Sequence, residues 1–596
     1  MTQLDFGVIG NCSLASLVDT RGRHVWFCFP RLDGDPLFNA LINGDDPERG
    51  FTDIQIEDLK DSSQKYIRNT AVLETKLTGK TGSVKITDWA PRFKVRGEVF
   101  RPPMIIRRIE PLEGRCRIKI RVRPTFDYGS SIPSVTFGSN HVRYVGGASA
   151  IRVTSDMPIA YLREETTFLL DRPINIIIGS DERLPERTDR VAREYLEETI
   201  GYWNDWVRDL AVPFEWQEAV IRAAITLKLC SFEETGAILA SLTTSLPEAP
   251  NSGRNWDYRF CWPRDAFFTV MSLNRLGATT TMENFITYLL DCVVSEGATS
   301  LAPLYPIVPG TQVTEYEATS LAGFRGMGPV RIGNGAAGQR QNDIYGSVVL
   351  AASQMFWDQR LPRPGDADLY RHLKHLGKLA ETEALEPDAG IWEYRGRTRA
   401  HTFSAMMCWA ALHRLGQIAH KVGEADDGHR WLEVAAILRE RILKDAWNAE
   451  GEYFSGSFGG GELDAALLLM PEIGIVPPMD PRFLKTLAAI EGHLLRDGLM
   501  LRYAEADDFG MPETAFLVCT FWYIEALVSV GRREEALPLF ERVLALRNHV
   551  GILSEDVEAA SGELWGNFPQ TYSMVGIIHC ARTLSRSWEE GLWRVS

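Results

Sequence analysis

The feature that most constrains this chain is a change of hydrophobic period near Pro213. Before it the pattern has period two. Cys116-Arg-Ile-Lys-Ile-Arg-Val-Arg123 sets Cys116, Ile118, Ile120 and Val122 against Arg117, Lys119, Arg121 and Arg123. That predicts a strand with one buried and one wet face. Similar short runs occur at 71–77, 83–89, 141–144 and 174–178, separated by Gly, Pro, Asn and Ser clusters. Many short strands in one block predict an N-terminal antiparallel β-sandwich, placed at 1–185, with a charged helical linker over 186–213.

From 214 to 596 the period is helical. Helix candidates fall at 216–235, 264–276, 280–295, 341–358, 366–384, 401–421, 425–444, 461–470, 481–495, 513–530, 532–546 and 570–586. Odd-numbered members are amphipathic, as in Arg430-Trp-Leu-Glu-Val-Ala-Ala-Ile-Leu-Arg-Glu-Arg-Ile-Leu443. Several even-numbered ones are apolar nearly all round, as in Thr514-Ala-Phe-Leu-Val-Cys-Thr-Phe-Trp-Tyr-Ile524. Helices apolar on every side are buried and amphipathic ones cover them. Six outer–inner pairs closed into a ring give an (α/α)6 barrel. An open solenoid competes, but no repeated sequence unit supports it. The odd-to-even connections are long and rich in aromatic, acidic and arginine residues, so they are expected to pool at one mouth.

Composition narrows the function. Lys and Arg number 64 against 79 Asp and Glu, a net charge of −15, which disfavours a nucleic-acid surface. No apolar run reaches the roughly 18 residues of a membrane span. Met1-Thr-Gln-Leu-Asp has neither a basic start nor an apolar core, and the nine scattered cysteines lack a C-x-x-C. A cytoplasmic protein with reduced thiols is expected. No H-E-x-x-H, P-loop or G-x-S-x-G is present, and no metal or other cofactor is expected. His372 and His375 read as surface groups.

Three connections carry chemistry. The first holds Asn255-Trp-Asp-Tyr-Arg-Phe-Cys-Trp-Pro-Arg-Asp265. Carboxylate and guanidinium bind sugar hydroxyls and aromatic faces accept the ring's C–H surface. The competing explanation is an Arg264–Asp265 ion pair capping a helix with Pro263 at N1. The third connection holds Asp388-Ala-Gly-Ile-Trp-Glu-Tyr-Arg395 and the last Leu553-Ser-Glu-Asp-Val-Glu558. Glycoside hydrolysis needs one protonated and one ionised carboxyl flanking the scissile bond. Glu393, between Trp392 and Tyr394, has neighbours suited to raising the pKa of an acid. Glu555 is expected to stay ionised on its loop and activate water.

These segments, with Pro329-Val-Arg-Ile-Gly-Asn334, Leu501-Arg-Tyr503 and Gly566-Asn-Phe-Pro-Gln570, resemble glycoside hydrolase family 15, the glucoamylases and their trehalase-like bacterial relatives. The resemblance covers nearly the whole chain, including a β-sandwich before the barrel. It implies Glu393 as general acid and Glu555 as general base, with Glu558 and Glu563 as nearby rivals for the base. It places Arg264 and Asp265 on the non-reducing glucose and Tyr258 and Trp262 at its aromatic wall. Trp392 and Arg502 join them as substrate-binding residues, with Asp343 as a supporting carboxylate. Pro263 departs from many relatives and implies a stiffer loop. The implied activity is an inverting, exo-acting α-glucoside hydrolase on small oligosaccharides or disaccharides. Glucoamylase-type cleavage stands first, α,α-trehalase second, and a non-catalytic sugar-binding protein is the alternative of another class. The implied separation of the two carboxyl groups is about 6.5–9.5 Å.

Overall fold

The computed structural model describes residues 3–147, 149–294, 300–311 and 313–593. Its N-terminal part is two antiparallel sheets packed face to face. One runs Phe6–Gly10, Ala15–Asp19, His24–Phe29, Phe51–Ile56, Arg117–Arg123, Phe168–Leu169, with Asp35–Phe38 paired to His24–Phe29. The other runs Ser134–Phe137, His141–Gly146, Ser149–Ser155, Ile174–Ser180, Met104–Gly114, Gly82–Trp89, Leu73–Gly79, Leu59–Tyr66. The period-two pattern does what its spacing requires. Ile118, Ile120 and Val122 join Ile9, Phe27, Val84 and Ile105 in the core between the sheets. On the other face Arg121 pairs with Asp53 of the adjacent strand. The charged helix α1 (Thr188–Arg208) does more than link, because its Val191 and Ala192 pack on Trp89, Ile106 and Ile177 on the outer face of the second sheet.

The helical part is a closed double ring. The outer helices are α2 (Gln217–Leu229), α4 (Thr279–Val294), α6 (Ala367–Glu383), α8 (Ala425–Asp445), α10 (Pro481–Leu494) and α12 (Arg533–Ala545). The inner ones are α3 (Ala266–Leu276), α5 (Asp343–Trp357), α7 (Thr402–Val422), α9 (Met470–Ile473), α11 (Leu517–Ser529) and α13 (Thr571–Leu584). The inner helices touch in chain order, with the turn Ala465–Leu469 ahead of α9 making the contact to α11, and α13 returns to α3. The inner helices are buried on nearly every side: in α11 every residue from Leu517 to Ile524 is buried.

Four expectations need correction. The candidate at 461–470 is a 3-10 turn, Ala465–Leu469, running into the four-residue α9, because Asp464 is extended and accepts from the Ala466 N–H, setting the start there. Residues 513–516 are not helical: Ala515–Phe516 pairs with Asp556–Val557 as a short strand. The first candidate stops at Leu229, after which Ser231–Phe232 pairs with Ala237–Ile238. Its helix α2 is also covered on its outward side, because the sandwich lies there. Arg222 stacks 3.5 Å over the Tyr66 ring and donates to Thr70 O at 2.9 Å. The candidate at 280–295 ends on Ser295, outside the described residues. No helix among the described residues is long and apolar enough to cross a membrane, and all nine cysteines are buried and unbridged.

Candidate active site

The long connections between outer and inner helices pool at one end of the ring and line a cavity there. The first connection supplies one wall by alternation, as an extended segment must. Asn255, Asp257 and Arg259 point into the scaffold, where Asn255 donates to the carbonyls of Met327 and Pro329 at 2.9 Å each. Asp257 pairs with Arg259 at 2.8 Å, and Arg259 reaches Gly34 O at 2.9 Å, so the sandwich braces this wall. Trp256, Tyr258, Trp262, Arg264 and Asp265 face the cavity, with Tyr258 and Trp262 meeting edge to face at 5.2 Å. Pro263 opens the 3-10 turn leading into α3, and Asp265 lies 3.8 Å from Arg264 Nε but makes no capping hydrogen bond to α3. Burial, opposed by Arg264, pushes the Asp265 carboxyl up to about 7.

The third connection carries Glu393 on a tight turn. Gly390 has φ 68°, and a Cβ there would sit 2.6 Å from the His401 ring. Glu393 itself has φ 59°, a left-handed conformation that a non-glycine residue adopts only where its surroundings hold it. Two donors from the first connection hold it: Trp262 Nε1 at 2.7 Å and Arg264 Nη2 at 3.0 Å, both on Oε1. The flanking aromatics line the same cavity but make their own polar and ring contacts with other residues. Trp392 lines the cavity but donates to Asp464 Oδ2 at 2.9 Å, and Tyr394 stacks on His401. The setting of Glu393 is therefore made by residues some 130 positions away in sequence, not by its neighbours.

Glu555, on the sixth connection, is 1% exposed, not a solvated loop residue. Gly566 passes so close that a Cβ there would lie 2.8 Å from the Glu555 side chain. Burial and the neighbouring carboxylates of Asp556 and Glu248 push the Glu555 carboxyl well up, while the Tyr258 hydroxyl and Arg502 pull it down. Its Oε2 has no protein donor. Arg502 lines the cavity, ion-paired with Glu248, which also accepts from Trp256 Nε1 at 3.1 Å.

The structure brings Glu393, Glu555, Tyr258, Trp262, Arg264, Asp265, Trp392 and Arg502 to one cavity. Asp343 is not on its surface. It is fully buried behind Arg264, neither oxygen has a hydrogen-bond partner, and burial pushes its carboxyl up to about 6. The rivals Glu558 and Glu563 lie off the cavity: Glu558 accepts from Ser561, and Glu563 pairs with Arg325 at 2.8 Å. Sequence reasoning missed Glu248, Asp464 and Asp507, and passed over Asp556 although it adjoins Glu555. Among the described residues no group of side chains could hold a metal ion.

A barrel of this kind, with two glutamates, an arginine–aspartate pair and aromatic walls at one mouth, has the layout of a glycosidase. The chain belongs to glycosyl hydrolases family 15, whose family model matches residues 215–582, and a trehalase-like N-terminal model matches residues 5–158. It is a glycoside hydrolase. It is 30% identical over 591 residues to a trehalase of Thermoplasma volcanium, covering 98% of this chain and 93% of that protein. It is likewise 30% identical over 621 residues to a trehalase of Mycobacterium tuberculosis, covering 98% and 90%. Among solved structures, a bacterial glucoamylase complexed with acarbose shares the fold with a TM-score of 0.68 at 14% identity, over 98% of this chain and 94% of that one.

Proposed function

We propose that the protein is an inverting α,α-trehalase. The observation that carries this reading is the full-length similarity to proteins named trehalase, which spans sandwich and barrel together. The glucoamylase-type reading stands second, since the shared glucoamylase fold speaks only to architecture. In this reading the sandwich (1–185) and linker (186–213) brace the catalytic barrel (214–596) through contacts such as Arg259 to Gly34.

Glu393 is the general acid. Trp262 and Arg264 fix Oε1, so the proton delivered to the bridging oxygen sits on Oε2. Glu555 is the general base. A carboxyl raised by burial and like charges is a stronger proton acceptor from water than an exposed one, provided it is ionised at working pH. Tyr258 and Arg502 favour that ionised form. Asp265 and Arg264 bind hydroxyls of the glucose being cleaved, against Tyr258, Trp262 and Trp392. Asp343 acts behind Arg264 and does not touch substrate.

The test is a panel of maltose, isomaltose, maltotriose, trehalose and soluble starch assayed for glucose release, with trehalose expected to be turned over best. Proton NMR taken before mutarotation should then show equal α- and β-glucose from trehalose. The attacked carbon inverts and the leaving glucose keeps its configuration. Early α-glucose alone would mean double displacement, and preference for maltose would restore the glucoamylase-type reading.

A further inference from the structure

The rim of the cavity holds a feature the mechanism does not use. The fifth connection contains a tight turn in which Asp507 and Gly510 exchange backbone hydrogen bonds at 3.0 and 3.2 Å. On one side Asp507 takes both guanidinium nitrogens of Arg254, at 2.6 and 2.5 Å, and Arg254 also donates to Gly510 O at 2.9 Å. The two side chains are each only 7% exposed, so this is a shielded bidentate pair and not a loose surface one. The Phe509 ring meets Trp256 edge to face at 5.1 Å. On the other side Asp508 accepts from the N–H groups of Arg395 and Gly396 at 2.9 and 2.7 Å, two and three residues past Glu393. The turn is thus tied to the first and third connections at once and crosses the mouth between them.

We propose that this turn, residues 504–511, is a clasp that sets the chain length of the substrate, admitting a disaccharide and rejecting a third sugar. The proposal rests on the glycosidase reading of the cavity, and on the trehalase reading only for which disaccharide is native. The floor is closed by buried Trp522 and Tyr572, so the glucose being cleaved occupies that end. The leaving sugar then lies between the glutamates and the rim. A third sugar attached to it must pass where Phe509 and Asp508 cross, and can do so only by breaking the tie to Arg254 or the ties to 395–396.

The experiment compares kcat/KM for trehalose with its glucosyl-extended trisaccharide, and for maltose with maltotriose, in the wild type, Phe509→Ala and Asp507→Asn. The wild type should prefer each disaccharide by about 100-fold. Each variant should cut that preference by about 10-fold or more, through KM for the trisaccharide. Calorimetric binding of the same sugars to the Glu393→Gln protein reads the ratio without turnover. A wild type indifferent to chain length, or variants that lower both members of a pair equally, overturns the clasp. Strong length preference on maltose with no action on trehalose would sink the trehalase reading and leave the clasp standing.

Discussion

Across the cavity, Glu393 takes two donors on one oxygen, from Trp262 and Arg264, whereas Glu555 lies beside two further carboxylates, Glu248 and Asp556. The first wall fixes a position: its donors are at 2.7 and 3.0 Å, and the left-handed turn at Glu393 allows little other geometry. The second wall fixes a charge environment, negative and almost fully buried, with an oxygen that no protein group claims. Identical side chains are thereby given separate tasks by what faces them, which is how one mouth holds an acid and a base together.

The largest expected effect tests that division directly. Glu393→Gln and Glu555→Gln should each lower kcat on trehalose by about 10²–10⁴-fold, the usual worth of general acid–base help, with unfolding temperatures near the wild type. The two should separate on α-glucosyl fluoride, whose leaving group needs no proton. Glu393→Gln should recover most of its rate there, and Glu555→Gln should not. Equal recovery would mean that the two walls do not divide the labour as assigned, and near-normal turnover by Glu555→Gln would move the base to Asp556 or Glu248.

Next in size is the glucose clamp beside the first wall. Asp265→Ala should lower kcat/KM about 10–100-fold for every α-glucoside in the panel, the value of a hydrogen bond to a charged group. Loss confined to one linkage would place Asp265 beyond the first sugar, and an unfolded variant would return it to a structural role despite its missing cap.

The two walls were unequally legible in the sequence. Glu393 and Glu555 could be singled out because Gly390-Ile-Trp-Glu393 and Leu553-Ser-Glu555 lie on connections expected to share one mouth and match the family pattern. The barrel was legible because inner helices such as α11 are apolar on all sides. The partners were not. Glu248 meets Arg502, and Arg254 meets Asp507, across more than 250 residues, and no periodicity encodes a contact between two irregular loops. Trp392 and Tyr394 line the same cavity as Glu393, but their own partners, Asp464 and His401, could not be read from the sequence for a related reason.

A finer test of the second wall uses pH. Glu555 and Asp556 titrate as a pair in the field of Glu248 and Arg502. Glu248→Gln keeps an acceptor for Trp256 Nε1 but removes one negative charge and frees Arg502 to favour ionised Glu555. The Glu555 carboxyl should come down. The base must be ionised in the free enzyme, so the acid limb of kcat/KM should move to lower pH. A limb that stays put or moves up would show that Glu248 does not act on the base.

The smallest effect concerns what stands behind the first wall. Asp464 accepts from Trp392 Nε1 and from the Ala466 N–H, and burial pushes its carboxyl up to about 7 from an ordinary 3.8. The sign follows from the two states. Between about pH 4 and 7 the unfolded chain releases this proton while the folded chain keeps it, so stability falls as pH rises and the full penalty is present above about 7. Asp464→Asn has no proton to lose but only one acceptor oxygen, so it keeps the bond from Trp392 Nε1 or from the Ala466 N–H and not both. Measured against the wild type, its stability should be better at pH 8.5 than at pH 4.5 by on the order of 1 kcal/mol or more, read by thermal or denaturant unfolding at the two pH values. A difference from the wild type of the same size at both would assign the effect to the lost hydrogen bond and packing, not to the proton. In either case kcat for the variant shows whether the support behind Trp392 reaches Glu393, one residue along the turn.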